Sequence, residues 1–388
     1  GDQDVDQSLR YHINILNAME TEGFEIVNRE QQMAWARCYD LAKREMKDQV
    51  MSVFAFPEEP LTTEKLEEYA KETETAICVI SRNSGEGNDR FMKKEVSIGD
   101  KKSEIGDYRL SAVEMDNLKK LRSAFSSLIL VLNVPGSISV QDLEAACADA
   151  ILLMGQAGQE GGAAVTDILT GKATPSGKLT ATWAKKYADM PFAENFSYLN
   201  GNLELEEYKE GIYIGYRYFD SFGVKPLFPF GFGLSYTDFE IQFCGIEIDQ
   251  DKIEVNVSVE NTGSRFSGSE VVQIYASLPQ DGSRKEFRRL VGYEKTEELK
   301  PGEKEMLNIV LPAKAFASFL EEQQEWRIQA GAYGIWIGNS LSEAKLSAGV
   351  KVSADVMMEK TKKLEDHSEV VEIKDCAEEI VLKESVYV

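Results

Sequence analysis

Two hydrophobic rhythms divide the chain. Its first half carries unbroken apolar runs, Ala76-Ile-Cys-Val-Ile80, Leu128-Ile-Leu-Val-Leu132 and Ala150-Ile-Leu-Leu-Met154, each the length of one strand. A run without polar alternation belongs to a strand covered on both faces, as in a parallel sheet enclosed by helices. Helical spacing surrounds these runs. Leu9, Ile13, Leu16 and Met19 share one face of a helix over 8–22, and further helices are predicted over 30–48 and 62–71. Phe24-Glu-Ile-Val27 is a short strand candidate. Ser111, with Glu114 three residues on, forms a capping box that opens a helix with Met115, Leu118, Leu121 and Phe125 on its apolar side. Short helices are expected at Gln141–Ala148 and at 159–170, the second stopped by Gly171. Strand and helix alternate, so residues 1–200 read as an α/β domain with a doubly wound, mostly parallel sheet. The first helix has no strand before it, so the sheet is expected to lack its opening strand.

The second rhythm starts near residue 238. Ile253, Val255, Val257 and Val259 alternate with Glu254, Asn256, Ser258 and Glu260, the period of a half-buried strand. Asn261-Thr-Gly263 and Pro301-Gly302 supply turns, and Val271–Leu278, Met306–Leu311 and Ala332–Gly338 supply further strands. About seven short strands separated by turns make residues 238–352 an all-β sandwich. Between the halves, residues 201–237 are rich in aromatics, including Gly211-Ile-Tyr-Ile-Gly-Tyr-Arg-Tyr-Phe-Asp220 and Phe228-Pro-Phe-Gly-Phe-Gly-Leu-Ser-Tyr236. Interdomain packing is their simplest role; aromatic faces that stack on sugar rings are the other. Residues 353–388 are charged, without a core pattern, and read as a linker or wrapping arm.

Composition narrows the function. The 388 residues carry a formal net charge of -23, which repels phosphate backbones and anionic lipid and argues against nucleic-acid binding. No apolar run is long enough to span a bilayer, and the polar start, Gly1-Asp-Gln-Asp-Val-Asp-Gln7, has no signal-peptide pattern. The basic stretch Arg284-Lys-Glu-Phe-Arg-Arg289 is expected to be a solvated strand-and-turn face. The 5 cysteines are dispersed, with Cys78 and Cys147 read as small core residues, and a reducing, cytoplasmic compartment is expected. With only 2 histidines, His12 and His367, a His-based metal site or a Ser-His-Asp triad is not expected, and no cofactor is called for.

The candidate chemistry lies in Ser81-Arg-Asn-Ser-Gly-Glu-Gly-Asn-Asp-Arg90, which follows the run 76–80 directly. Open α/β sheets bind ligands at the carboxyl ends of their strands. Glycines on both sides of Glu86 let the backbone turn and leave the carboxylate accessible, so Glu86 is a candidate general acid or base. An acidic surface loop is the alternative on these residues alone.

Several stretches in one order resemble a known family. They are Ser81–Arg90, Gly155-Gln-Ala-Gly-Gln-Glu-Gly161, Thr174-Pro-Ser-Gly-Lys-Leu179, Gly211–Asp220, Phe228–Thr237, Val259-Glu-Asn-Thr-Gly263 and Gly268-Ser-Glu-Val-Val-Gln-Ile-Tyr275. Together they resemble the β-glucosidases of glycoside hydrolase family 3 over about residues 1–350. The resemblance implies an α/β sandwich followed by a fibronectin type III-like domain. It implies that Glu86 is the general acid/base and that Asp89 and Arg90 shape the loop or bind near the sugar; an ion pair between those two without ligand contact is the alternative.

The family's (β/α)₈ barrel, which supplies the nucleophilic Asp and most sugar contacts, is not found here, since about 250 residues of repeated strand and helix would be needed. Also not found is the family's sugar-contacting Ser, which precedes the Gly-Asp pair matching Gly1-Asp2. The implied protein is therefore the acid/base-supplying part of a retaining β-glycosidase acting on terminal β-D-glucosides. Its expected partners are a β-linked glucoside or oligosaccharide and a barrel joined in cis or supplied in trans; a homo-oligomer is left open. A non-catalytic carbohydrate-binding or scaffold module with the same loop is the alternative. A nucleotide-binding enzyme is disfavoured, because no Gly-x-Gly-x-x-Gly or Walker pattern follows a strand.

Overall fold

The computed structural model describes residues 11–45, 56–84, 90–98, 101–195, 201–202, 204–249, 252–280, 282 and 285–362. The chain forms two compact units, Gly1–Ala173 and Thr174–Val388.

The first unit runs α1 (Ile15–Thr21), α2 (Arg29–Glu45), α3 (Thr63–Tyr69), β1 (Thr75–Ser81), β2 (Lys93–Ile98), β3 (Lys101–Gly106), α4 (Ala112–Ala124), β4 (Ser127–Asn133), α5 (Val140–Ala145), β5 (Ala150–Leu153) and α6 (Gly161–Thr170). Its sheet has the order β1-β4-β5, and both pairings are parallel. The apolar β4 is central, with Leu128, Leu130 and Val131 fully buried. The edges are more open than continuous runs suggest: Ile77 and Val79 on β1 are 37% and 38% exposed, and Ile151 and Leu153 on β5 are 40% and 41%. The exposed residues in each strand are two apart and so share one face, and an apolar run does not by itself guarantee that both faces are covered.

Local signals explain the helix ends. The Ser111 hydroxyl accepts from the Glu114 backbone N–H while the Glu114 carboxylate accepts from the Ser111 N–H, the reciprocal capping box expected for α4. Gly171 ends α6 at φ 75, a backbone region open to glycine. Asn14 caps α1 through the Asn17 N–H at 2.8 Å.

Three sequence expectations need correction here. Phe24–Val27 is the connection between α1 and α2 rather than a strand. Gly23 (φ +87) ends α1, and the Phe24 N–H turns back to the Met19 carbonyl. Cys147 is exposed, because it sits in a left-handed conformation (φ 50) just past α5. The β2–β3 hairpin interrupts the strand–helix alternation; its lysine-rich strands, paired Lys94 with Ile105 and Val96 with Ser103, carry little apolar signal.

The second unit contains α7 (Tyr216–Ser221) and strands β6 (Phe239–Ile248), β7 (Lys252–Asn261), β8 (Val271–Ser277), β9 (Arg288–Lys295), β10 (Lys304–Pro312), β11 (Ser318–Leu320), β12 (Glu325–Ile328), β13 (Gly331–Gly338), β14 (Lys345–Val352) and β15 (Val356–Lys360). A sheet β10-β7-β6 and a sheet β14-β13-β8-β9 form the sandwich. The inward side chains of β7, Ile253, Val255, Val257 and Val259, pack in one core with Ile274, Leu311 and Ile335. The polar partners of the alternation fall on the opposite face of β7, as period 2 requires. A third sheet, β11-β12-β15, incorporates residues beyond 352.

The basic stretch is not a solvated face. Lys285 and Glu286 are 2% and 1% exposed. The Lys285 ammonium donates to the Pro279 carbonyl, Arg289 grips Glu286, and Arg288 forks onto Asp220 while lying 4.8 Å over the Trp336 ring. Glu286 within the stretch pairs with Arg289, and Asp220, 68 residues away, pairs with Arg288, a partner that local sequence does not reveal. The aromatic stretch packs within this unit too: Tyr216 meets Phe230 and Tyr275, Phe228 stacks on Phe232, and buried Tyr213 donates to the Lys285 carbonyl.

Candidate active site

The acidic decapeptide leaves the carboxyl end of β1, where Ser81 pairs with Asn133 of β4 and the Arg82 N–H donates to the Asn133 carbonyl. The segments that follow β4 and β5 emerge at the same end of the parallel sheet, which is where such sheets bind ligands. Gly155 and Gly158 turn the chain after β5 with positive φ. Glu86 and Asp89 lie outside the described residues. Arg90 is described, and so is Arg82 on the other side of those residues.

At the first end, Arg82 is 7% exposed. Its guanidinium forks onto Glu114 of α4 at 2.7 and 3.0 Å and donates to the Asp107 carbonyl at 2.7 Å. Glu114 therefore has two tasks, capping α4 and neutralising Arg82. Gly106 permits the arrangement, because a Cβ there would lie 2.1 Å from Glu114 Oε2 and 2.3 Å from an Arg82 nitrogen.

At the second end, Arg90 donates to Asp107 Oδ1 at 2.8 Å, to the Asp107 carbonyl at 2.9 Å and to the Ser137 carbonyl at 2.9 Å. Asp107 Oδ2 accepts from the Phe91 N–H at 2.6 Å and lies 3.2 Å from the Lys94 ammonium. The Asp107 side chain is 2% exposed. Backbone pairs Tyr108–Phe91 and Arg109–Met92 zip the strand leaving the loop against the segment after β3. Arg109 in turn forks onto Asp142 of α5 at 2.8 and 2.7 Å. Burial pushes the Asp142 carboxyl up, but hydrogen bonds from Arg109 and the Leu110 N–H outweigh it and hold it below the usual range.

Two groups beside the first end are shifted. Glu58 is exposed as a residue, yet crowding strips water from its carboxyl and pushes it up to about 7, with Glu114 adding and Arg82 opposing. Burial, helped by Glu58 and Glu114, pushes the Cys78 thiol up to about 12. A thiol so held is neutral at ordinary pH and is not a nucleophile. Among the described residues no group of three His, Cys, Asp or Glu side chains could hold a metal ion.

Sequence reading singled out Arg90 but missed Arg82, Asp107 and Glu114 as its companions. Glu114 was visible only as a capping residue. Asp107 lies 17 residues from Arg90 and 25 from Arg82, with a hairpin between, and no short motif links such positions.

The fold and the site define an open α/β sheet that holds an acidic loop at its strand ends and is followed by a β-sandwich. The model of the glycosyl hydrolase family 3 C-terminal domain matches residues 1–236, and that of the fibronectin type III-like domain matches residues 270–341. The chain belongs to glycoside hydrolase family 3. It is 35% identical over 294 residues to a β-glucosidase of Ruminococcus albus, covering 74% of this chain and 29% of that protein. A thermostable β-glucosidase B of Acetivibrio thermocellus is 38% identical over 209 residues, covering 52% and 27%. The solved β-glucosidase 3B of Thermotoga neapolitana in complex with α-D-glucose aligns with a TM-score of 0.81 at 34% identity, over 92% of this chain and 49% of that one. A Paenibacillus barengoltzii β-glucosidase aligns at 0.79 and 30% identity, covering 91% and 39%. The chain thus spans less than half the length of each of these relatives. Its described sheet has three parallel strands, where a (β/α)₈ barrel takes eight. No helix among the described residues is long and apolar enough to cross a membrane.

Proposed function

We propose that this chain is the acid/base-supplying part of a retaining β-glycosidase that hydrolyses terminal β-D-glucosides. Glu86 is the general acid/base, and a (β/α)₈ barrel, in cis or in trans, supplies the nucleophile. One observation supports the reading: Arg82, at the carboxyl end of β1, and Arg90, which bracket Glu86 in the sequence, are both held by Asp107, in a chain of a family whose relatives are named β-glucosidases.

Retaining hydrolysis needs two carboxyl groups roughly 5–5.5 Å apart. The nucleophile attacks the anomeric carbon while Glu86 protonates the departing oxygen; Glu86 then takes a proton from the water that releases the sugar. The acid must be protonated at the working pH, so its surroundings in the assembled site must disfavour the carboxylate. Asp89 is assigned to the loop's polar framework near the sugar. Arg90, held by Asp107 and Ser137, is assigned to fixing the loop next to that sugar. A reducing, cytoplasmic setting is part of the proposal, supported by four described cysteines that are all free.

The test is hydrolysis of an aryl β-glucoside by the purified chain alone and with a barrel-bearing partner. Turnover is expected only in the second case. Turnover by the chain alone that survives Glu86→Gln would overturn the assignment.

A further inference from the structure

Arg82 and Arg90 are eight positions apart in sequence, and both guanidinium groups donate to the carbonyl of one residue, Asp107. The side chain of that residue takes a third bond from Arg90, a fourth from the Phe91 N–H and an ion pair from Lys94. It does so at 2% exposure, where a carboxylate persists only if its oxygens are satisfied by donors or cations. An ordinary surface loop does not require its entry and exit to converge on one buried residue. Fixing the chain at both ends of a short loop restricts where its middle can point, which matters when the middle carries a proton donor.

We propose that Asp107 is a positioning residue for the acid/base loop, acting through Arg90 and the Phe91 N–H at the exit and through Arg82 at the entry. This rests on the assignment of Glu86 made above. The structure separates two parts of the device. The backbone carbonyl ties entry to exit and survives any substitution. The carboxylate adds what the two carbonyls of Asp107 and Ser137 cannot: Oδ1 takes the Arg90 Nε–H while Oδ2 takes the Phe91 N–H, so side chain and backbone at the exit are fixed to one group. Asn at 107 keeps the shape but has one acceptor, so its amide N–H₂ must face a donor on one side. The ends remain joined while the exit is turned.

The test compares wild type, Asp107→Asn and Glu86→Gln in the barrel-containing enzyme, either as one polypeptide or reconstituted from two. A misplacement of about 1 Å in a reacting group can cost on the order of 100-fold. For Asp107→Asn, kcat/KM on an alkyl β-glucoside, whose departure needs a proton, is therefore expected to fall roughly 10- to 100-fold, while kcat/KM on a nitrophenyl glucoside, which leaves without one, loses about threefold or less. A folded Asp107→Asn enzyme with an unchanged ratio between the two substrates overturns the positioning role, provided Glu86→Gln shows the selective loss. An unchanged ratio in Glu86→Gln overturns the underlying acid assignment instead.

Should Asp107→Asn not fold, Arg90→Lys carries the same comparison, since it keeps the charge and loses the fork onto Asp107 and Ser137. Hydrogen exchange on the 388-residue chain gives a reading that needs no barrel. Amides of residues 83–89 should exchange at least about tenfold faster in Asp107→Asn while β1 and β4 keep their rates, and equal exchange would count against the proposal.

Discussion

Arg82 carries its charge into a site where its side chain is 4% exposed, and Glu114 meets it at 7%. Such a pair contributes little net stability, because desolvation offsets most of the Coulomb attraction. Removing one partner is different, since the other charge is then buried alone, at about 3–5 kcal/mol. Glu114→Gln, which can keep the capping box but removes the charge facing Arg82, should therefore lower the unfolding free energy of the first unit by about 3 kcal/mol in denaturant melts followed by circular dichroism. A loss under about 1 kcal/mol would mean that the pair is solvated.

Glu58 gives a pH dependence whose sign is opposite to the usual carboxylate. Its folded value is raised to about 7 from 4.5, so the native state binds more protons than the unfolded state between these values. Stability from this group is full below about pH 4.5 and falls as pH rises through about 7. Glu58→Gln should flatten that fall, leaving the variant more stable than wild type at pH 8 by on the order of 1 kcal/mol once solvent screening is allowed for. Thermal melts at pH 5 and pH 8 check it; an equal difference between the two proteins at both pH values would contradict it.

At the scale of elements, α1 docks on α6 through a close backbone approach. A Cβ on Gly162 would lie 2.3 Å from the Asn14 carbonyl carbon and 2.5 Å from the Ile13 and Asn14 oxygens. Alanine gains about 1 kcal/mol of helix propensity over glycine. Backbone atoms cannot swing aside as side chains can, so the clash should win by about 1–2 kcal/mol net. Chemical denaturation of Gly162→Ala measures the difference, and a stabilised variant would show that α1 is free to move.

Elements that depend on nearest neighbours were legible in the sequence. They include β1 and β4 from their apolar runs, α4 from Ser111 and Glu114, the stop at Gly171 and the alternating β7. Elements that depend on distant partners were not. The β2–β3 hairpin has lysines at both ends and looks solvated until its partner strand is known. Arg288 looked like part of a surface patch because its neutralising partner, Asp220, lies 68 residues away in the unit. Likewise the decapeptide offered Glu86 as a candidate and drew attention to Arg90, whereas Asp107, which bonds both Arg82 and Arg90, became visible only through the fold.

At the scale of the whole molecule, the chain belongs to glycoside hydrolase family 3 and spans 49% of a solved relative, and the proposal gives the two carboxyls of the site to different domains, this one and a barrel joined in cis or supplied in trans. Each carboxyl of a retaining pair has its own task, so half a pair is expected to bind sugar weakly and to turn over nothing. The most direct measurement is the leaving-group dependence of Glu86→Gln in the barrel-containing enzyme, across aryl β-glucosides of graded leaving-group acidity. The account predicts a loss in kcat/KM, which reports the step that expels the leaving group, that grows steeply as the leaving group becomes less acidic and nearly vanishes for dinitrophenolate. A loss of the same size for every leaving group would contradict it.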